Sequence, residues 1–303
     1  MIKIREHLTD DEREQVLRRS NLHAWWQVLS TWSEIALFLA LVSAFPNPLT
    51  LLLVWILLPG RQLGLSVLMH EAGHNTLFAD RRLNQWVGQW LCALPTLNDL
   101  NAYATGHLDH HRLTGTPEDP DLANYRAYPV DPESFRRKVI RDLTGQTGAK
   151  LLIGVLRGGL SHFGGASKGG RVLLVKQIAV QGALAALLTA CGVGWVWWVW
   201  FGTLMTSYML VVRLRQVAEH AAVPDANNPD PRFNTRTVDA PAWQRFLMAP
   251  SYVNYHLEHH LMPAVPCYRL PVFRALLQDK GLLADVPSFN SYRQVLRHAV
   301  QSA

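Results

Sequence analysis

The sequence predicts an all-α integral membrane protein: four transmembrane helices in two hairpins, interfacial helices, and a cytosolic cap rich in clustered histidines. Three observations carry this expectation. Four apolar blocks of near-spanning length alternate with polar stretches. Lys and Arg gather on one side of the turns that join those blocks. Eight of the 13 histidines fall on that side in three short runs: His70-Glu-Ala-Gly-His74, His107-Leu-Asp-His110-His111 and His256-Leu-Glu-His259-His260.

Taken in order, residues 1–20 are polar, and their charges leave no apolar core for a signal peptide. Residues 25–45 form the first expected span, weakened in its first half by Ser30, Thr31, Ser33 and Glu34. Phe45-Pro46-Asn47-Pro48 is a turn signal. Residues 49–69 form the second span, interrupted by Pro59, Gly60 and Arg61. A crossing needs about 20 apolar residues, so each block suffices with little to spare. Residues 83–97, with Trp86 and Trp90, read as one helix in the membrane interface. Residues 98–171 form a first cytosolic segment, within which 151–163 are too short to span and lie on the membrane surface. Residues 177–193 and 195–214 are the third and fourth spans, with Trp195, Trp197, Trp198 and Trp200 at their junction as an aromatic belt. Residues 215–303 form the second cytosolic segment, and residues 1–303 a single domain.

The turns at 45–48 and 191–195 contain no Lys or Arg, whereas the N-terminus, residues 136–171 and residues 213–215 contain many. The positive-inside rule therefore places both termini and both large segments in the cytosol. Every histidine cluster then lands on one face. Glu34 is the weak point, because a single span over 35–58 would break the parity. Inside a span it is expected to snorkel or to pair helices. The net charge of +6 belongs to this topology. The cations flank apolar blocks and form no aromatic-interleaved stripe, so no nucleic-acid partner is expected. Cys92, Cys191 and Cys267 are far apart and suggest neither a disulfide framework nor a zinc knuckle.

Imidazole is the commonest biological metal ligand. Chance would give roughly 0.02 His-x-x-His-His patterns in such a chain, and this one has two. Eight ligands exceed the capacity of one ion, so the count points to two. His70 and His74 share a helix face with Cβ atoms about 5–6 Å apart. His107 and His110 also share a face, while His111 points roughly 100° away, which divides ligands between two centres. The third cluster repeats that spacing. Glu71, Asp109 and Glu258 are expected to accept the second ring N–H of ligating histidines. Neutral imidazoles without thiolates suit a redox metal that meets dioxygen, and zinc sites need only three or four ligands. The expected centre is di-iron. The isolated His7, His23, His162 and His298 read as surface or interfacial residues. Asn98, Asp99 and Asn101 either line the site or form a polar loop.

At these residues the chain resembles the integral-membrane fatty acid desaturase family, in the histidine-box superfamily that also holds lipid hydroxylases and carotenoid ketolases. The resemblance runs from the first span to the last box. It implies that His70, His74, His107, His110, His111, His256, His259 and His260 bind two iron ions, with dioxygen as co-substrate. The family also uses a histidine between the last span and the third box, and His220, in Arg215-Gln-Val-Ala-Glu219-His220, occupies that place. In the acyl-CoA branch an amide four residues earlier holds a metal-bound water. Here that position is Gln216, longer than the usual Asn. The third box begins with His256 where fused-cytochrome desaturases typically have Gln, and no His-Pro-Gly-Gly haem signature is present. The run Pro117-Glu-Asp-Pro-Asp-Leu122 is similar to that of sphingolipid desaturases and their bacterial relatives, and more loosely to carotenoid ketolases.

The resemblance implies oxygen-dependent desaturation of a fatty acyl or other lipid chain. It further implies electrons from ferredoxin or a similar small carrier, and a bacterial cytoplasmic (inner) membrane with the active site in the cytosol. A di-iron lipid hydroxylase or carotenoid ketolase is the first alternative, since hydrogen abstraction is common to both. A zinc-dependent membrane hydrolase or receptor is the second, and the ligand count argues against it.

Overall fold

A computed structural model describes residues 2–160 and 168–301, and His162 lies outside the described residues. Among the described residues the chain is helical, with two isolated β-bridges and no sheet. Helix α1 (Asp10–Leu17) opens on a capping box: Thr9 and Glu12 each accept the other's backbone N–H. Helix α2 (Asn21–Ala44) starts at the Ser20 cap, and α3 (Pro48–Gly73) starts at the Asn47 cap with proline in its first turn. The two pack side by side. A Cβ on Gly64 would lie 3.2 Å from the Thr31 methyl.

Glu34 of α2 accepts from Arg61 of α3 at 2.6 Å, which is the helix-pairing outcome for that acid. The expected interruption at Pro59-Gly60-Arg61 does not occur, because α3 is continuous through Pro59. These residues form a docking point instead. A Cβ on Gly60 would sit 2.6 Å from the carbonyl oxygen of Leu247 and 2.9 Å from that of Phe246. Arg61 donates to the Phe246 carbonyl and lies over its ring, 4.1 Å from the centroid.

Residues 83–97 do not form the single interfacial helix expected. Helix α4 (Arg81–Val87) passes into a π-helical stretch over Gly88–Ala93 and a 3-10 turn over Leu94–Thr96, and Leu97 takes a positive φ of 61°. The chain thereby turns into α5 (Leu100–Leu113), which carries the second histidine box. Asp99 caps α5 by accepting from Ala102 N–H at 2.8 Å, and Gln89 donates to it at 3.1 Å. Asn98 bonds Thr96, and Asn101 is exposed. Asn98 and Asp99 therefore form a capping loop, and Asn101 is an exposed residue in the first turn of α5.

Helices α6 (Leu122–Tyr125), α7 (Pro132–Leu143) and α8 (Gln146–Leu160) follow. Helix α9 (Lys168–Ala190) begins before the expected 177. Its buried Gln177 and Gln181 donate to the carbonyls of Leu97 and Pro95, both at 2.8 Å, and tie it to the 3-10 turn. The expected fourth span, 195–214, is divided into α10 (Val196–Met205) and α11 (Ser207–His220). The break is at Thr206, whose φ/ψ of −125°/−92° is not helical. Its hydroxyl donates to the Gly202 carbonyl at 2.7 Å and accepts from Trp55 Nε1 at 3.1 Å. Back-bonding of this kind bends helices, and the Trp55 contact holds the bend. Among the described residues three helices remain long and apolar enough to cross a membrane: Asp10–Ala44, Pro48–Gly73 and Gly169–Ala190.

The C-terminal cap comprises α12 (Pro231–Asn234), α13 (Ala242–Met248), α14 (His256–Leu261), α15 (Leu270–Asp279) and α16 (Tyr292–Ala299). One apolar cluster joins Leu63 and Val67 of α3 to Tyr208 and Ala218 of α11 and Val295 of α16. Another joins Val16 of α1 to Phe273 and Leu277 of α15. Arg213 of α11 forks onto the buried Asp142 of α7 at 2.5 and 2.9 Å.

Gly60→Ala forces a methyl into the Phe246–Leu247 backbone, which cannot yield as a side chain would. Thermal unfolding in detergent should show destabilisation of about 1–3 kcal/mol. Gly182→Ala, where a Cβ meets nothing within 4 Å in α9, should be neutral or stabilising. Equal melting temperatures for the two variants would contradict the close approach.

Candidate metal centre

Four helical segments converge at the boundary between the apolar helices and the cap. The C-terminal end of α3 brings His70 and His74, α5 brings His107, His110 and His111, the end of α11 brings His220, and α14 brings His256, His259 and His260. Two groups result. In the first, ligand atoms of His70, His74, His107 and His259 lie within 4.8 Å of one another. In the second, those of His110, His220, His256 and His260 do the same. His111 sits at the seam, its Nε2 2.9 Å from both His107 Nε2 and His259 Nε2 and its ring 4.2 Å from that of His260.

The partition differs from the one expected from helical spacing. His107 joins His111, four residues on, and His110 turns to the other group. In α14 the arrangement is mirrored: His256 and His260 share the second group, with Nε2 atoms 3.1 Å apart, and His259 turns to the first. Residues four apart lie on one face as well as residues three apart do. The contact across helices decides between them.

The donor atoms suit metal ions. His70, His259, His111 and His107 form a run of Nε2 atoms, each 2.9 Å from the next. Such ring nitrogens would repel through their lone pairs unless protons or a cation lie between them. The Nε2 of His74 is buried with no hydrogen-bond partner. Burial, reinforced by neighbouring imidazoles, pushes the pKa of His107, His256, His259 and His260 well below the ordinary histidine value. Burial alone lowers His74 to about 4. Neutral imidazole is the form that binds metal.

The outer contacts correct the expected role of the box carboxylates. None of Glu71, Asp109 and Glu258 holds the second nitrogen of a ring. Glu71 accepts from Thr76 at 2.8 Å and Cys267 N–H at 2.9 Å, and so fastens α3 to the cap. Asp109 pairs with Arg112 at the surface, 2.9 Å away. Glu258 accepts from Arg274 at 2.6 Å and ties α14 to α15. The carboxylate that does orient a ring is Asp119, whose Oδ1 lies 2.8 Å from His110 Nδ1. Asp119 is itself held by the Tyr125 hydroxyl and by Asp121 N–H. The acidic run 117–122 contained this residue, but spacing gave no reason to prefer it. Tyr103 hydroxyl faces His70 Nδ1 at 3.0 Å, and the Asn234 carbonyl faces His220 Nδ1 at 3.3 Å. Glu219, paired with Arg215 at 2.9 Å, lies 3.6 Å from His256 Nδ1.

Gln216 lines a cavity of about 140 Å³ together with His110, His220 and His256. That space is large enough for water. His7, His23 and His298 are exposed and stand apart from both groups.

These features coincide with what the chain is related to. Residues 46–290 match the fatty acid desaturase family, and the chain belongs to it. Dihydrorhizobitoxine desaturase of Bradyrhizobium elkanii is 26% identical over 79% of this chain and 70% of its own length. The sn-1 oleoyl-lipid 12-desaturase of Synechocystis sp. is 26% identical over 84% of this chain and 76% of its own. The β-carotene ketolase of Paracoccus sp. is 26% identical over 83% of this chain and 90% of its own. Family membership makes the protein an oxidoreductase, and its two histidine groups form a candidate metal centre.

Asp119→Asn removes the acceptor that orients His110. Metal affinity of the second group or turnover should fall about 10–100-fold, as changes to such supporting contacts typically cause. Asp109→Asn, which only releases Arg112, should match the unmodified protein. Metal content by elemental analysis and turnover, measured on both variants, decide the point. A fully loaded, fully active Asp119→Asn would remove the carboxylate from the site.

Proposed function

We propose that this chain is an oxygen-dependent fatty acyl desaturase of a bacterial cytoplasmic membrane. Its metals would be two iron ions. One would be held by His70, His74, His107, His111 and His259, and the other by His110, His220, His256 and His260. Gln216 would hold a water beside the second. The observation that carries this reading is the convergence of nine imidazoles into two adjoining groups. Zinc sites need only three or four ligands, so this donor set exceeds a hydrolase or receptor site.

Two irons, when bound, would supply the activation of dioxygen and the abstraction of hydrogen. The reaction removes two hydrogens from adjacent carbons of an alkyl chain, and dioxygen takes up two further electrons and two protons to leave as two waters. Ferredoxin or a similar small carrier supplies those electrons. The protein's own residues set the geometry: Asp119, Tyr103 and the Asn234 carbonyl hold ring orientations, and the buried walls exclude bulk water. Residues 1–303 act as one domain. Its α10–α11 unit, bent at Thr206, completes a fourth crossing, so that both termini and the metal groups face the cytosol.

A ketolase or hydroxylase on the same centre is the second reading. It is favoured by the match to 90% of the length of the Paracoccus β-carotene ketolase. Lipid and pigment profiles of a host with and without the chain separate the two. The desaturase reading expects new double bonds in host acyl chains, lost in His74→Ala, His110→Ala and His259→Ala and kept in His298→Ala. New keto-carotenoids with unchanged acyl chains would overturn it.

Topology has a native probe. Cys191 is exposed in the turn before Trp195, whereas Cys92 and Cys267 are buried. A membrane-impermeant thiol reagent added to intact spheroplasts should label Cys191, and Cys191→Ser should abolish the signal. A cysteine placed at Asp131 or Asp285 in that background should stay unlabelled until the membrane is opened. External labelling at Asp131 would contradict the cytosolic cap.

A further inference from the structure

A groove of about 790 Å³ lies between the first turns of α2 and the α13 region, and none of the nine clustered histidines lines it. Its walls include Trp26 and Gln27 on one side, Arg245 and Phe246 on the other, and Ser251 and Tyr252 at one end. Its volume falls in the range of sites for small molecules. A second, much smaller cavity of about 10 Å³ lies against His70, His256 and His259. Ser251 lines both. It is the partition between a surface groove and the ring faces of the metal groups.

The partition is strained. Ser251 and Tyr252 both take positive φ, 51° and 62°, although neither is glycine. Consecutive left-handed residues of this kind persist only where the surroundings hold them, and they cluster at ligand clamps. One hold here is a single polar contact, Ser251 Oγ donating to Gln27 Oε1 at 2.7 Å. The inner cavity is too small for an alkyl chain, so passage requires this turn to shift.

The groove also has a chemical polarity. Its outer rim carries exposed Leu22 and Trp26 on α2, with Tyr252 opposite and Trp243 nearby on α13. Exposed tryptophans on an apolar helix mark the level of lipid headgroups. Two arginines line it. Arg61 is engaged by Glu34 and Phe246. Arg245 has no carboxylate partner among the described residues, and its Nε is buried without a hydrogen bond. An arginine with free donors at an interfacial groove suits a carboxylate or phosphate. A carotenoid end group offers no anion to it.

We infer that this groove is the lateral substrate entrance: Arg245 receives the anionic head of a single-chain or glycerol-linked acyl lipid, and the chain passes the Ser251–Tyr252 turn toward the metal groups. The inference rests on the proposed acyl desaturase reading for the identity of the chain, but its binding test does not need turnover.

The test uses the full-length, metal-loaded protein in proteoliposomes, with two photoactivatable probes. One is a diazirine-bearing free fatty acid and the other a phosphatidylglycerol with the same chain. Anaerobic illumination and peptide mass spectrometry should place adducts on residues 22–30 and 242–252. The probe that labels better identifies the head as carboxylate or phosphate. Arg245→Gln should lower that labelling roughly tenfold, the loss of one charge-assisted bond. Ala242→Trp, an exposed groove residue, should lower it by filling space without touching the core. Ser251→Leu should keep metal content and groove labelling but lose product. Adducts confined to another face would overturn the entrance, as would undiminished labelling in both Arg245→Gln and Ala242→Trp. If the groove labels as expected while the host makes only keto-carotenoids, the desaturase reading fails and the lipid site stands.

Discussion

The structure depends on holding nine imidazole rings, nearly touching, where apolar helices meet a polar cap. Buried imidazoles resist protonation, and their lone pairs meet at distances that only a proton or a cation makes favourable. Keeping them together requires fasteners from several directions. Glu71 ties α3 to Cys267, Glu258 ties α14 to Arg274, and Arg213 ties α11 to Asp142 on α7. Each is a charged or polar contact with at least one buried carboxylate. Removing Arg274 or Arg213 would leave a buried carboxylate without its counter-ion, which is strongly destabilising. The acids near the boxes therefore serve the frame more than the rings.

The symmetry of the two groups follows from this packing. Each His-x-x-His-His helix commits a pair four residues apart to one group and the intervening histidine to the other. Helix α5 commits its pair to the first group and α14 to the second. The first group is completed by the pair on α3 and the second by His220 on α11. Two short helices facing each other thus share their ligands reciprocally, and His111 lies where the groups adjoin. Neither group can be assembled from one box alone, which couples both to the same tertiary fold.

Much of this was legible in the sequence because it is local. The boxes are spacings along single helices, the Asn47 cap and Pro48 mark a helix start, and apolar blocks mark the long helices. What was not legible depends on contacts between distant segments. The partition of His107, His110 and His111 is decided by what α14 presents to them. Asp119 becomes the partner of His110 because the chain after α5 folds back, and nothing in its own neighbourhood distinguishes it from Asp121. Thr206 bends the last apolar segment through a bond from Trp55, 151 positions away. Pro59, Gly60 and Arg61 look like an interruption in one dimension and are a docking point in three. Polar residues in apolar helices here are fixings between helices, as Glu34 with Arg61 and Gln62 with the Trp200 carbonyl show.

The central claim is that the two histidine groups are two separate metal positions. The most direct measurement is an anomalous-difference map at the iron absorption edge, from crystals of protein purified without chelator and loaded with iron under anaerobic conditions. The account predicts two peaks, one among His70, His74, His107, His111 and His259 and one among His110, His220, His256 and His260. A single peak at the seam by His111, or a peak outside both groups, would contradict it.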